Sequence, residues 1–295
     1  MNKKGLTISI LFEAESANYG EGFGNITVLK KLGRSDSKQY TYISRQALRY
    51  NMMQQLGWDN TPVSASGSGE KKVVQFDPGA TIKQYPEIDL FGYLKTSAKT
   101  EDKKGGSSKR AAVVRLSNAI ALEAYQGDMD YLTNMGLAAR DKVDNSIAQS
   151  EIHKSVYAYT ITIDLDCVGI DENDQIELSA KDKAERVKAF LDTVQFLYRD
   201  IKGRRENLSP IFVVGGVYAR KNPYFENRLK FKAGKLEVGV IKNILNSSPD
   251  VSENTIVGYL DSMLSNDKEI KAELKPMTVA EMFNKLKAEV DACYE

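Results

Sequence analysis

The chain has 295 residues, of which 42% are hydrophobic and 27% charged, and a formal net charge of +1 at pH 7. This is enough apolar material for one large or two small globular domains, and it excludes a uniformly basic nucleic-acid binder. No apolar run is long enough to span a bilayer, and Glu13 and Glu15 interrupt the stretch after Lys3-Lys4, so a cytoplasmic protein without a membrane partner is expected.

In chain order, Leu6, Ile8, Ile10 and Phe12 alternate with Thr7, Ser9 and Glu13, as in a half-buried strand. A polar, glycine-rich connection over 15–41 leads to a helix over 44–56, with Leu48, Met52 and Leu56 on its apolar side and Gly57 to stop it. Residues 57–110 look like an insertion, with exposed loops at 61–72 and 95–110. A strand is predicted from Ala111 to about Ala121. Residues 123–152 form a second excursion. Tyr157, Tyr159, Ile161, Ile163, Leu165 and Cys167 then mark one face of a strong strand, with Thr160, Thr162, Asp164 and Asp166 on its wet face. The clearest helix follows, with Ala184, Val187, Leu191, Val194, Tyr198 and Ile201 stepping by three and four. Ile211-Phe-Val-Val214 reads as a buried strand ending at Gly215-Gly216, and 236–245 reads as another strand. Thr278 and Glu281 have capping-box spacing ahead of Met282, Phe283, Leu286 and Val290. The order strand, helix, strand, strand, helix, strand defines an α+β, ferredoxin-like pattern shared with RNA-recognition motifs.

The helix start carries the strongest chemical signal. Ser44 is a natural cap, and Arg45 and Arg49 crowd the end where the helix dipole disfavours cations. An anion held by the guanidinium forks and the free N–H groups would explain them, and so would a solvated helix face. Over 1–115 the chain holds 18 Lys and Arg against 11 Asp and Glu, and over the remainder 23 against 29. That imbalance permits a basic groove on one side. Gly20 to Gly24 resembles a phosphate-gripping loop only weakly, lacking the Lys-Ser/Thr ending. The pairs Asp164/Asp166 and Asp128/Asp130 match both a two-metal site and plain wet strand faces. Leu132, Met135 and Leu137 fit either local hairpin packing or a wedge between stacked bases. His153 is the sole histidine, and Cys167 and Cys293 give neither a disulfide framework nor metal spacing, so no metal and no cofactor is expected.

Five segments together resemble one family: FEAESANYGEGFGN (12–25), YTYISRQALRYN (40–51), GDMDYLTNMGLAAR (127–140), YAYTITIDLD (157–166) and PIFVVGGVYARKNPYFENRL (210–229). They look like the repeated backbone subunit of type I CRISPR surveillance complexes (Cascade), the Cas-seven family, in its type I-B DevR-like subgroup. The resemblance implies a modified RNA-recognition-motif palm (1–56, 111–122 and 153–295), a finger insertion (57–110) and a β-hairpin thumb (123–152). It implies a non-catalytic subunit whose copies stack along guide crRNA, displace bases at intervals and leave the guide free to pair with a target DNA strand. Other Cascade subunits, of the Cas-five, Cas-six and Cas-eight families, are the remaining expected partners. By this likeness Ser44, Arg45, Gln46 and Arg49 grip RNA, Leu132, Thr133 and Met135 form the thumb tip, and Leu94, Lys95 and Thr96 lie on the finger loop. Asn25 and Lys30, before the helix, are further transfers. Two alternatives stand beside it: a type III kind of subunit that cuts RNA with a loop aspartate, for which Asp36 is the candidate, and a monomeric RNA-binding regulator.

Overall fold

The computed structural model describes residues 5–66, 73–97 and 106–295. The expected loops at 61–72 and 95–110 therefore fall partly, at 67–72 and 98–105, outside the described residues. Among the described residues an eight-stranded antiparallel sheet forms the centre. Its strands run in the order Thr255–Tyr259, Phe212–Tyr218, Gly5–Ala14, Ser155–Asp164, Ala119–Ala121, Gln39–Ile43 and Lys31–Gly33, and Val114–Leu116 also pairs with Ser155–Asp164. The register sets Ile8 opposite both Ile161 and Gly215.

One sheet face is covered by the helices Arg45–Leu56, Ala180–Gln195 and Val279–Tyr294. Leu48, Met52, Val187, Leu191, Phe283 and Leu286 pack there with Ile8, Ile10 and Phe12. The opposite face, at Leu11, Phe212 and Val214, is covered by Ile241 and Ile244 of the helix Val238–Leu245 and by Ile270 of the helix Asp267–Leu274. The first strand is thus buried on both faces, not half-buried. Its polar alternates stay inside because they are satisfied: Ser9 Oγ lies 2.6 Å from Thr160 Oγ1, and Thr7 donates to the Ile161 carbonyl at 3.3 Å. The C-terminal capping box forms as expected, with both the Thr278 and Glu281 hydrogen bonds present.

Several expectations need correction. The 236–245 stretch is a helix over Val238–Leu245, because Val238, Ile241 and Ile244 recur every three residues, which a short apolar run shares with a buried strand. The central helix stops at Gln195. Tyr198–Ile201 is instead a strand paired with Arg204–Asn207 across a turn in which Lys202 and Gly203 both have positive φ. The strand at Gly215-Gly216 does not end there but runs to Tyr218. Glycine is required at 216 because a Cβ would sit 1.9 Å from the Asn254 carbonyl oxygen. Gly106–Arg110, expected as loop, is a strand against Tyr93–Ser97. The expected strand from Ala111 breaks at Ser117 and Asn118 into two short ones.

The largest difference lies in the 15–41 connection, which is not a loop. Tyr19–Phe23 and Ile26–Leu29 join Asp128–Thr133 and Ile147–Ile152 in a second, four-stranded sheet. Ile147–Ile152 pairs in parallel with Ile26–Leu29. Glu151 locks the junction, accepting from Lys31 Nζ at 2.6 Å and from the Leu29 N–H at 2.7 Å. The second excursion is therefore braced by the segment after the first strand.

Candidate nucleic-acid interface

The helix Arg45–Leu56 begins beside the break at Ser117 and Asn118 between the strands Val114–Leu116 and Ala119–Ala121. Ser44 caps the helix, its hydroxyl accepting from the Ala47 N–H at 3.3 Å. Asn18 Oδ1 accepts from the Ser44 N–H at 3.2 Å, and Asn118 Oδ1, at that break, accepts from the Arg45 N–H at 2.9 Å. The Leu48 N–H closes the first helical bond to the Ser44 carbonyl at 3.0 Å. Among the described residues, only the Gln46 N–H is left without a protein acceptor near this end. Of the expected cradle of free backbone amides only the Gln46 N–H is thus left open, two of the others being taken by asparagines, and anion binding here rests chiefly on side chains.

Those side chains line a groove of about 500 Å³ formed by Arg45, Gln46, Arg49, Phe91 and, from the strand Val114–Leu116, Arg115. Arg45 is exposed and has no ion-pair partner among the described residues. Arg49 is engaged on two sides: it bridges to Glu87 at 2.8 Å and lies 4.6 Å over the Phe91 ring. Arg115 bridges to Asp164 at 2.8 Å. The groove therefore holds one open guanidinium flanked by two that are held in place.

The other predicted residues sit elsewhere. Leu132, Thr133 and Met135 are exposed at the tip of the second excursion, where a short helix, Met135–Asp141, joins the two strands. Asn134 and Asn145 fix this tip: Asn145 Oδ1 accepts from the Asn134 N–H at 3.1 Å, and Asn134 Oδ1 accepts from the Ser146 N–H at 2.7 Å. Asn25 is exposed, and its carbonyl accepts from the Gln149 N–H at 2.9 Å, tying it to the same sheet. Lys30 is half-buried beside Asn18, whose carbonyl accepts from its N–H at 2.7 Å. Leu94 is exposed and Thr96 half-buried on the hairpin Tyr93–Ser97/Gly106–Arg110. Lys95 between them is only 5% exposed, and its ammonium is held inside the insertion by the Ala80 carbonyl, by Asp174 at 3.4 Å and by the Tyr93 ring at 4.0 Å. An ammonium so placed cannot reach a strand lying on the surface.

Of the two predicted carboxylate pairs, one is already engaged by cations. Asp164 and Asp166 pair with Arg115 and Lys221, at 2.8 Å and 2.5 Å. No group of three potential metal ligands occurs among the described residues. Asp36 is exposed in the turn before Gln39–Ile43, and the Tyr40 hydroxyl, donating at 2.6 Å, holds its carboxyl below the usual range. A stabilised carboxylate of this kind is a weak proton acceptor. His153 is buried at the base of the excursion, 2.7 Å from the Thr41 hydroxyl, and burial lowers its pKa, which favours the neutral ring. Asn18, Asn118 and Arg115 were not legible as site residues, since each acts across a long chain separation.

A central antiparallel sheet backed by helices, with a groove of arginines between the first helix and Val114–Leu116, defines an α+β protein. The sequence model of the family described as CRISPR-associated negative auto-regulator DevR/Csa2 matches residues 6–237, and the chain belongs to that family. A curated relative, the CRISPR-associated protein Cas7/Cst2/DevR of Myxococcus xanthus (strain DK1622), is 28% identical over 158 residues, 50% of this chain and 52% of the relative. The chain thus spans about half the length of the curated relative it matches. Among solved structures, a chain of a CRISPR RNA-guided surveillance complex in a pre-nicking state is similar with a TM-score of 0.58 at 12% identity, covering 97% of this chain and 100% of that one. A chain of another CRISPR RNA-guided surveillance complex is similar with a TM-score of 0.54 at 15% identity, covering 97% and 99%. At these identities the likeness is one of fold. Among the described residues no helix is long and apolar enough to cross a membrane.

Proposed function

We propose that this chain is a non-catalytic backbone subunit of a type I CRISPR surveillance complex. Copies of it stack along guide crRNA, grip the phosphates and displace bases at intervals, leaving the guide to pair with target DNA. Subunits of the Cas-five, Cas-six and Cas-eight families complete the assembly. The observation that carries this reading is the groove of Arg45, Arg49 and Arg115 at a helix start whose amides, but for that of Gln46, are already capped, a placement of cations that helix electrostatics alone would disfavour. Family membership and the likeness of fold support it.

In this reading the palm is ferredoxin-like. The strands Phe212–Tyr218, Gly5–Ala14, Ser155–Asp164 and Val114–Leu116 or Ala119–Ala121 lie in the spatial order fourth, first, third, second, which supports it. The palm comprises 1–56, 111–122 and 153–295, with a finger at 57–110 and a thumb at 123–152 to which the strands of 19–29 contribute. A single subunit needs no strong net charge, because many weak sites on one strand add their binding. An acidic half meeting a basic half of the next copy would favour head-to-tail contact.

Arg45 is the open guanidinium and Arg49 a shared one, so Arg45→Ala is expected to weaken guide binding more than Arg49→Ala. It should also flatten the log–log salt dependence by about 0.7 for the lost single-strand phosphate contact. Filter binding across a salt series measures this, and an unchanged slope counts against the groove. Asp36 plays no chemical part in this proposal. Asp36→Ala is expected to leave the assembled complex unaltered, with no RNA cleavage before or after the change. Metal-dependent cleavage of target RNA that disappears in Asp36→Ala would make the type III alternative the correct one.

A further inference from the structure

A second cavity lies on the sheet face away from the long helices. Ser9 and Thr160 line it, and their strand neighbours Ile8, Ile10 and Ile161 belong to the core under those helices, so the two sets point to opposite faces. Its volume of about 370 Å³ falls in the range of small-molecule sites. The segment 225–231 forms the other wall, with Phe225 and Leu229 buried and Phe231 half-buried.

The chemistry of the lining is mixed in a specific way. Ser9 and Thr160 are both buried, and their hydroxyls share one hydrogen bond of 2.6 Å. Whichever hydroxyl accepts that bond keeps its own proton to donate, and the pair keeps lone pairs to accept, so the floor offers one donor beside an acceptor. Ser117, also in the lining, is already committed: it accepts from the Thr160 N–H at 2.9 Å and donates to the Asn118 carbonyl at 3.2 Å. The exposed part of the lining is cationic, with Arg34 and Lys230. Arg34 lies 4.0 Å over the Tyr40 ring, with Nη2 donating to the Ala121 carbonyl at 3.4 Å. Lys230 has no ion-pair partner among the described residues.

We propose that this cavity binds one nucleotide unit. The base edge meets the Ser9–Thr160 hydroxyls, its face lies against Phe231, and its phosphate sits on the Arg34 and Lys230 rim. A nucleobase edge carries donors and acceptors side by side, and aromatic contact combined with a nearby cation is how unpaired nucleotides are held. The site is separate from the Arg45 groove and does not depend on that groove's function. The unit could come from a free nucleotide or from a strand, and the test distinguishes them.

The full chain is to be titrated by equilibrium dialysis with AMP, CMP, GMP and UMP, and crosslinked by light to an RNA carrying 5-iodouridine, with the attached peptides mapped by mass spectrometry. Saturable mononucleotide binding identifies a site for free nucleotides. Binding of RNA alone, with crosslinks to Tyr40 or to 225–231, identifies a strand site. In either case Lys230→Glu, at an exposed position, is expected to weaken binding by roughly tenfold or more, as loss of a charge-assisted contact does. Arg34→Gln should act in the same direction. The proposal is overturned if neither probe binds, if RNA alone binds and its crosslinks avoid Tyr40 and 225–231, or if both rim variants bind as the parent does. Loss of guide assembly with the cavity still binding would instead overturn the backbone reading alone.

Discussion

Replacing Asp89 with alanine is expected to destabilise the protein by about 3–5 kcal/mol, the usual cost of stripping the partner from buried charges. Asp89 is 0% exposed. One carboxylate oxygen accepts from Arg110 Nη2 at 2.8 Å and from the Gly169 N–H at 2.9 Å, and the other accepts from Arg186 Nη1 at 2.7 Å. These partners come from three places: Arg110 ends the insertion, Gly169 follows the strand Ser155–Asp164, and Arg186 lies on the helix Ala180–Gln195. The carboxylate thus fastens the insertion to the central core. Alanine would leave two guanidiniums and an amide facing a small void. Arg186→Ala should cost less. It strands no buried ion, because Asp89 stays paired with Arg110 and with the Gly169 N–H, although the carbonyls of buried Ile82 and exposed Lys83 lose their donor at 2.7 and 3.2 Å. Urea titration of both variants measures the difference. A loss below about 1 kcal/mol for Asp89→Ala, typical of an exposed pair, would show that the buried clamp contributes little.

Asp89 also shows how far the sequence alone could lead. Its surroundings, PEIDLF, look like any short amphipathic helix, and the two arginines lie 21 and 97 residues away. Periodicity reports which face of an element is apolar, so the strands at Gly5–Ala14 and Ser155–Asp164 and the helix at Arg45–Leu56 were legible. It says nothing of what covers the second face of a strand, which is why Thr7 and Ser9 are buried against expectation. The 15–41 connection was read as loop because its strands are short, glycine-rich and paired with residues more than a hundred positions on, at Gln149 and Ser150. The run at 236–245 went wrong for a different reason: eight residues of mostly apolar sequence fit both periods, and only packing against Ile270 and its neighbours selects the helix. In the groove, Ser44, Arg45 and Arg49 could be singled out because a cation at a helix start violates a local rule. Asn18 and Asn118 violate none. Each is an ordinary loop residue until the fold brings its amide to the helix end, and their capping bonds then remove two of the backbone amides from consideration as ligands.

The double substitution Leu132→Ala and Met135→Ala tests the excursion tip. Leu132 and Met135 are 49% and 65% exposed, and Leu137 beside them is 65% exposed. Their removal should change folding stability by no more than about 0.5 kcal/mol, as for surface positions generally. Their exposure is not slackness. The Asn134 and Asn145 side chains hold both ends of the tip, and Lys142, in the left-handed conformation at φ 53°, closes the short helix. An apolar cluster on a fixed support, raised on a four-stranded sheet, has the form of a wedge that parts stacked bases. If it enters the guide, the double variant should lose on the order of 1–3 kcal/mol of binding per inserted site while the salt slope, set by the Arg45 groove, stays unchanged. Chemical probing of the guide in reconstituted complexes should then show the periodic reactive bases disappear. If assembly weakens but the periodic reactivity persists, the tip is a contact between neighbouring protein copies. If neither changes, the wedge role is wrong. The separation of readouts matters because the two surfaces contribute different physics. In the proposed function the groove would act through counterion release and weaken steeply with salt, whereas the tip would act through apolar contact and would not.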